Sequence, residues 1–249
     1  MTINNARRKL LAGGTISGPS VSFPAVEIVE ESLRHGFDFV WIEWQHGGWA
    51  EPSISAALAC CVGHDTVPIV RVLGSDPVWI GRMLDLGAMG VIVPMVNTAE
   101  ECRRIVAAAK FPPEGRRSAT GIRTAYLANH DYFKYTEEAN DQILTIVMAE
   151  TPEAVGNVRE MMAVPGVDCV LIGPYDLSRA LGAASMADDV VESAVQEVLR
   201  ASKETGVAAG YVTGSRAEAS RRAKEGFRFV CPGHDLSALA AAFREMAAR

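Results

Sequence analysis

Lysine is scarce in this chain: there are five in 249 residues, Lys9, Lys110, Lys134, Lys203 and Lys224. None ends a predicted strand, and Lys110, Lys203 and Lys224 read as exposed helix positions. A Schiff-base mechanism needs a desolvated lysine in the site, so carbonyl chemistry here would have to use a metal instead. The five cysteines are odd in number, lack C-x-x-C spacing and include the adjacent pair Cys60-Cys61. That excludes a disulfide framework and a zinc site, and leaves small core residues of a reducing compartment. No apolar run reaches membrane-spanning length, and the polar N-terminus lacks the apolar segment of a signal peptide. The expectation is a cytoplasmic protein with no membrane contact. Neither G-x-G-x-x-G nor G-x-x-x-x-G-K-[ST] occurs, so nucleotide-binding folds have no support. A net charge of −6 argues against binding nucleic acid through its phosphates. Arg103-Arg104 and Arg221-Arg222 then read as solvated helix faces.

What is present is alternation. Short apolar, β-branched runs are followed by longer amphipathic segments, with candidate strands at 13–17, 37–43, 67–71, 90–94, 144–150, 169–173, 208–212 and 228–231. Helix punctuation lies between them. Asp76-Pro77 offers an N-cap with proline at N1, Thr98-Ala99-Glu100-Glu101 a capping box, and Thr151-Pro152 a further cap. Gly206 and Gly226 sit where C-caps belong. Eight strands alternating with helices predict a parallel sheet closed as a (β/α)8 TIM barrel, a single α/β domain over residues 1–249. One long irregular stretch, 111–141, has the length of a functional loop.

In such barrels chemistry sits at the C-terminal strand ends. The polar residues expected there are His46 past the second strand, Arg71 ending the third, Glu150 ending the fifth and Asp176 past the sixth. Glu150 and Asp176 are hard oxygen donors without histidine or cysteine partners nearby in sequence, which suits Mg²⁺ or Mn²⁺ better than Zn²⁺. The bland alternative is that Glu150 pairs with an arginine and Asp176 caps a turn. Arg71 ends a very apolar strand, where a guanidinium needs an anion; a substrate oxygen or a plain salt bridge to Glu43 or Glu150 would serve. His46, beside Gly47-Gly48, is the best acid/base candidate, while His35, His64, His130 and His234 read as surface or loop histidines. Asp85, on the last turn of a helix, opposes the macrodipole and therefore wants a specific partner, such as an imidazole.

Four segments carry a resemblance: Leu84-Asp85-Leu86-Gly87-Ala88 through Val93-Pro94-Met95-Val96, Phe111-Pro112-Pro113-Glu114-Gly115-Arg116-Arg117, Glu150-Thr151-Pro152-Glu153-Ala154, and Ile172-Gly173-Pro174-Tyr175-Asp176-Leu177-Ser178. With them the chain resembles the HpcH/HpaI aldolase family, metal-dependent class II aldolases acting at the methyl carbon of pyruvate. The resemblance implies Glu150 and Asp176 as ligands of Mg²⁺ or Mn²⁺ (Co²⁺ being a further option), Arg71 at the keto oxygen, and a His46–Asp85 pair for proton transfer. It implies a substrate surface from Gly173, Pro174, Tyr175 and Asp176, to which Met148 and Val212 are added. The partners implied are a 2-oxo acid and an aldehyde, and the assembly a homohexamer, a trimer of dimers. Where the family usually reads Asp-Gly-Glu-His, this chain has Glu43-Trp44-Gln45-His46. Met148 replaces a frequent glutamine, and Tyr175 a small residue. These departures leave two alternatives: another metal–enolate lyase acting on acyl-CoA or by decarboxylation, and a catalytically altered 2-oxo acid binding protein.

Overall fold

Runs such as Val67-Pro68-Ile69-Val70 and Leu144-Thr145-Ile146-Val147-Met148 are apolar on both faces, the signature of strands buried between two layers. The computed structural model describes residues 3–119, 121, 123 and 131–247; His130 lies outside them. The strands are β1 (Ile16–Ser17), β2 (Ser20–Val21), β3 (Phe39–Glu43), β4 (Val67–Arg71), β5 (Gly90–Val93), β6 (Leu144–Ala149), β7 (Cys169–Ile172), β8 (Ala208–Val212) and β9 (Phe229–Cys231). They form one parallel sheet of order β1-β9-β8-β7-β6-β5-β4-β3-β2.

The expected eight-stranded TIM barrel is therefore corrected to nine strands in a curled, barrel-like sheet. The predicted first strand, 13–17, is shortened to β1, and β2 is an additional strand that follows it after Gly18-Pro19. Pro19 has no N–H to give a ladder, and at Gly18 a Cβ would overlap the carbonyl oxygen of Phe39, so the chain crosses too close for any side chain. β1 pairs with β9 and β2 with β3, which makes the two edges of the sheet consecutive pieces of one stretch.

Pleating sorts the strand residues into two cores. Phe39, Trp41, Ile69, Ile92, Ile146, Met148, Leu171 and Phe229 cluster on the inner, concave face. Val40, Ile42, Val70, Val91, Val93, Val147, Val170 and Ile172 join the layer beneath the helices. The inner parity continues past the last apolar residue of several strands. Positions 39, 41 and 43 share a face, as do 67, 69 and 71, and 144, 146, 148 and 150. Alternation alone thus delivers Glu43, Arg71 and Glu150 to the same mouth.

The helix caps form as read. The Asp76 carboxylate accepts from Val78 N, Thr98 and Glu101 make the capping box, and Thr151 Oγ accepts from Ala154 N. Gly206 and Gly226 take left-handed conformations, φ 79° and 118°. Three readings are corrected. Lys110 is buried, its Nζ bonded to the Asn140 and Ile143 carbonyls, because its stem crosses from a helix end into the core; burial pushes its pKa down to about 8. The 111–141 stretch contains a helix, Tyr132–Ala139, capped by Asp131 and seated with Tyr135 against Phe111. Arg222 is buried over Tyr211 and paired with Glu192 and Glu225. Among the described residues no helix is long and apolar enough to cross a membrane.

Candidate active site

A cavity of about 330 Å³ opens at the C-terminal strand ends, and Glu43, His46, Arg71, Met148, Glu150 and Asp176 all reach it. Gly173, Pro174, Tyr175 and Val212 line it as well. The structure thus brings together every sequence-predicted site residue except Asp85.

Glu150 is 2% exposed. Its Oε2 accepts a hydrogen bond of 2.8 Å from the Met95 amide. Met95 has φ 55°, a left-handed conformation that costs a non-glycine residue energy and here turns its N–H onto the carboxylate. On the other side a Cβ at position 173 would collide with Glu150 Oε1, so only glycine leaves that oxygen its place. Burial pushes the Glu150 carboxyl above its ordinary range; Met95 and Arg71 oppose the shift, while Asp176 and Glu43 add to it. No arginine or lysine forms a salt bridge with Glu150 among the described residues, so the arginine pairing considered for it is not made. Asp176 sits exposed in the first turn of the helix Pro174–Ala180, with no side-chain hydrogen bond among the described residues.

Two carboxylates, one of them desolvated and without a salt bridge among the described residues, therefore face one cavity. That is a donor set suited to a hard divalent cation. Among the described residues no group of three or more His, Cys, Asp and Glu side chains is arranged to hold a metal. A cation here would rest on two protein oxygens and keep its other positions open for water and a chelating ligand.

Arg71 and Glu43 are Cα partners across β3 and β4, and Arg71 Nε lies 2.5 Å from Glu43 Oε2. The contact is an ion pair outside hydrogen-bond alignment, since Nε has no hydrogen-bond partner. The guanidinium lies 5.2 Å from the Trp41 ring centroid, and its Nη1 meets only the weak acceptor Met148 Sδ at 3.7 Å. The salt bridge considered for Arg71 is present, yet among the described residues most of its donor fork has no oxygen partner. The other Glu43 oxygen accepts from the His46 amide at 2.9 Å, fixing the turn that presents the exposed imidazole.

Asp85 lies elsewhere. It ends the helix Pro77–Asp85, and its partner is the buried Arg117, at 2.8 Å. Within one chain it does not meet His46. Conversely, His234 was read as a loop histidine and proves to line the cavity, half-buried, at the corner after β9. Burial holds its imidazole below the usual value, with Glu43 and Asp235 pulling the other way. The missed signal was the short β9 with Cys231-Pro232-Gly233 after it, which stops the strand two residues before the mouth.

The family described as HpcH/HpaI aldolase/citrate lyase matches residues 23–242. A hydroxypyruvate/pyruvate aldolase of Chromohalobacter salexigens is 32% identical over 246 residues, spanning 98% of this chain and 97% of that protein. A 4-hydroxy-2-oxo-heptane-1,7-dioate aldolase of Escherichia coli is 34% identical over 247 residues, spanning 99% and 94%. Among solved structures, an HpcH/HpaI aldolase/citrate lyase family protein from Burkholderia cenocepacia superposes with a TM-score of 0.92 at 29% identity, covering 98% of this chain and 97% of that one. With likeness of this extent and two carboxylates meeting at the strand ends, the chain belongs to the HpcH/HpaI aldolase/citrate lyase family and is an aldehyde-lyase.

Proposed function

We propose that this protein is a class II, divalent-metal-dependent aldolase. It reversibly cleaves a 4-hydroxy-2-oxo acid to pyruvate, or a close 2-oxo acid, and an aldehyde. The observation that carries the reading is the buried Glu150 carboxylate without a cation partner, facing the same cavity as Asp176 and Arg71. Glu150 and Asp176 would hold Mg²⁺, Mn²⁺ or Co²⁺, which supplies Lewis acidity beside the keto acid when bound.

The residues divide the remaining work. The free N–H groups of Arg71 receive the keto oxygen and stabilise its negative charge as the enolate develops. His46 takes the proton from the C4 hydroxyl. The C3–C4 bond then breaks, its electron pair entering the enolate while C4 leaves as the aldehyde carbonyl. The same proton, returned to C3, completes pyruvate. The amides after β7, at Pro174–Asp176, face the substrate carboxylate from the start of a helix; Pro174 lacks the N–H, so Tyr175 and Asp176 are the donors. Met148 lies buried at the inner end of the cavity, and Tyr175 and Val212 form its less polar rim.

The resemblance pairs His46 with Asp85, a contact not made within one chain. Asp85 is therefore given a role only in an assembly where a neighbouring subunit supplies it. A homohexamer, in the cytoplasm, is part of this proposal. Association of subunits is supported by the helix Asp235–Ala247, which leaves Leu236, Leu239, Phe243 and Met246 exposed at three- and four-residue spacing.

The test needs no knowledge of the aldehyde. Incubated in D₂O with pyruvate and Mn²⁺ or Mg²⁺, the protein is expected to exchange the methyl protons, to lose that activity with a chelator and to regain it with metal. Borohydride added with pyruvate should leave it active. Covalent trapping by borohydride, or tight 2-oxo acid binding without exchange, would overturn the reading. Gly173→Ala should lower exchange by about 10²-fold through a displaced Glu150 carboxylate, since a misplacement near 1 Å costs roughly that much. Unchanged exchange in that variant would remove the Glu150–Gly173 contact from the mechanism.

A further inference from the structure

The opposite end of the strands from the mouth holds a smaller cavity, of about 50 Å³. Pro68, near the start of β4, with Met89 and Ile143, just before β5 and β6, gives it an apolar floor. Arg117 and Arg123 line it from the chain segment between β5 and β6, and the exposed His64 lies at its edge. Among the described residues no aspartate or glutamate lines it, although the whole chain carries a net charge of −6.

Arg117 is held firmly. Its amide donates to the Lys110 carbonyl at 2.9 Å, in a turn so tight that a Cβ at Gly115 would overlap the same oxygen. The guanidinium lies 4.5 Å from the Phe111 ring centroid, and the residue is 6% exposed. Nη2 donates to Asp85 Oδ1 at 2.8 Å, while Nε is buried without a hydrogen-bond partner. Such groups are rarely left unmatched, and an anion in the cavity can supply the missing acceptor.

Arg123 is half-buried. Its stem lies on Gly87, where φ is 109° and a Cβ would come within 3.0 Å of Arg123 Cγ. Its guanidinium has no hydrogen bond or salt bridge among the described residues. Asp85 balances Arg117, so Arg123 leaves one positive charge uncompensated beside an apolar floor.

We propose that this cavity binds a small monocarboxylate of two or three carbons. Arg117 and Arg123 receive its oxygens, and Leu58, Met89 and Ile143 cover its alkyl end. Guanidinium groups match a planar carboxylate. The volume has room for about four water-sized atoms, which limits the ligand to this length. An inorganic anion would satisfy the charge but leave its own oxygens against apolar walls. The assignment does not depend on the chemistry at the mouth, and its test uses the metal-free protein.

Propionate is the probe, followed by saturation-transfer NMR and by the shift in melting temperature, with 1-propanol and inorganic phosphate alongside. Propionate is expected to bind saturably and more tightly than either. Arg123→Met should weaken propionate binding by about tenfold, the worth of one charged hydrogen bond. Arg123→Glu should abolish it, and Arg123→Lys, which keeps the charge, should recover part of the loss. Position 123 has no partner to orphan, so these variants should melt as the wild type does without ligand. Equal binding of 1-propanol would make the cavity merely apolar, and equal binding of phosphate would make it merely cationic; either result overturns the carboxylate assignment. Propionate binding that is absent in the wild type, or unchanged in the Met and Glu variants, overturns the site itself.

Discussion

Replacing Glu150 by glutamine is expected to abolish turnover, by about 10²–10³-fold or more, while leaving the fold intact. The carboxylate is buried and forms no salt bridge among the described residues, so its negative charge is sustained at an energetic cost. Glutamine keeps the shape and one oxygen to accept from Met95 N, but cannot act as an anionic ligand. The same charge that function needs works against stability in the metal-free protein. Burial raises the folded-state pKa of Glu150 above its unfolded value, so the folded form binds more protons at this site. Acidification from neutral pH therefore favours folding through this group, and the penalty reappears as pH rises through the folded-state pKa. Metal-free Glu150→Gln should accordingly melt no lower than the wild type at neutral pH, and the part of the pH dependence due to Glu150 should vanish. Mn²⁺ should raise the melting temperature of the wild type only, since binding to the native state stabilises by mass action. A variant that retained exchange, or was stabilised by Mn²⁺ as much as the wild type, would remove Glu150 from the metal site.

The contrast between Glu150 and His234 marks what could be read from the sequence. Glu150 was legible because period-2 alternation, an apolar run and a following Thr-Pro cap all agree on where β6 ends and which face its next residue takes. The same logic located Arg71, and β4 and β8 have the predicted limits. His234 follows a strand of only three residues, and its place depends on β2, a two-residue strand after a Gly-Pro break that no local pattern announces. Register between segments more than two hundred residues apart is a tertiary fact. The partner of Asp85 is of the same kind: the helix end marks it as an acid wanting a cation, while the choice of Arg117 depends on how the 111–117 segment folds back. Lys110 departs from its expected exposure because one position at a helix end does not reveal whether a long stem lies outward or into a core.

Arg71 carries two loads, which substitution can separate. Arg71→Lys is expected to lower kcat/KM by about 10²–10³-fold, because an ammonium cannot present the planar fork now spread between Trp41, Glu43 and the open cavity. Arg71→Met should also destabilise the fold. It leaves Glu43, only 4% exposed, without its cation, and breaking a buried pair from one side costs about 3–5 kcal/mol. Adding Glu43→Gln removes the orphaned charge while keeping an oxygen for the His46 amide. The double variant should therefore recover most of the melting temperature and none of the turnover. Neighbouring residues do not contribute additively, so the coupling between the two positions is itself the readout. If stability and methyl exchange both returned in Arg71→Met/Glu43→Gln, Arg71 would be only the counter-ion of Glu43. If stability alone returns, its free N–H groups act on the substrate oxygen.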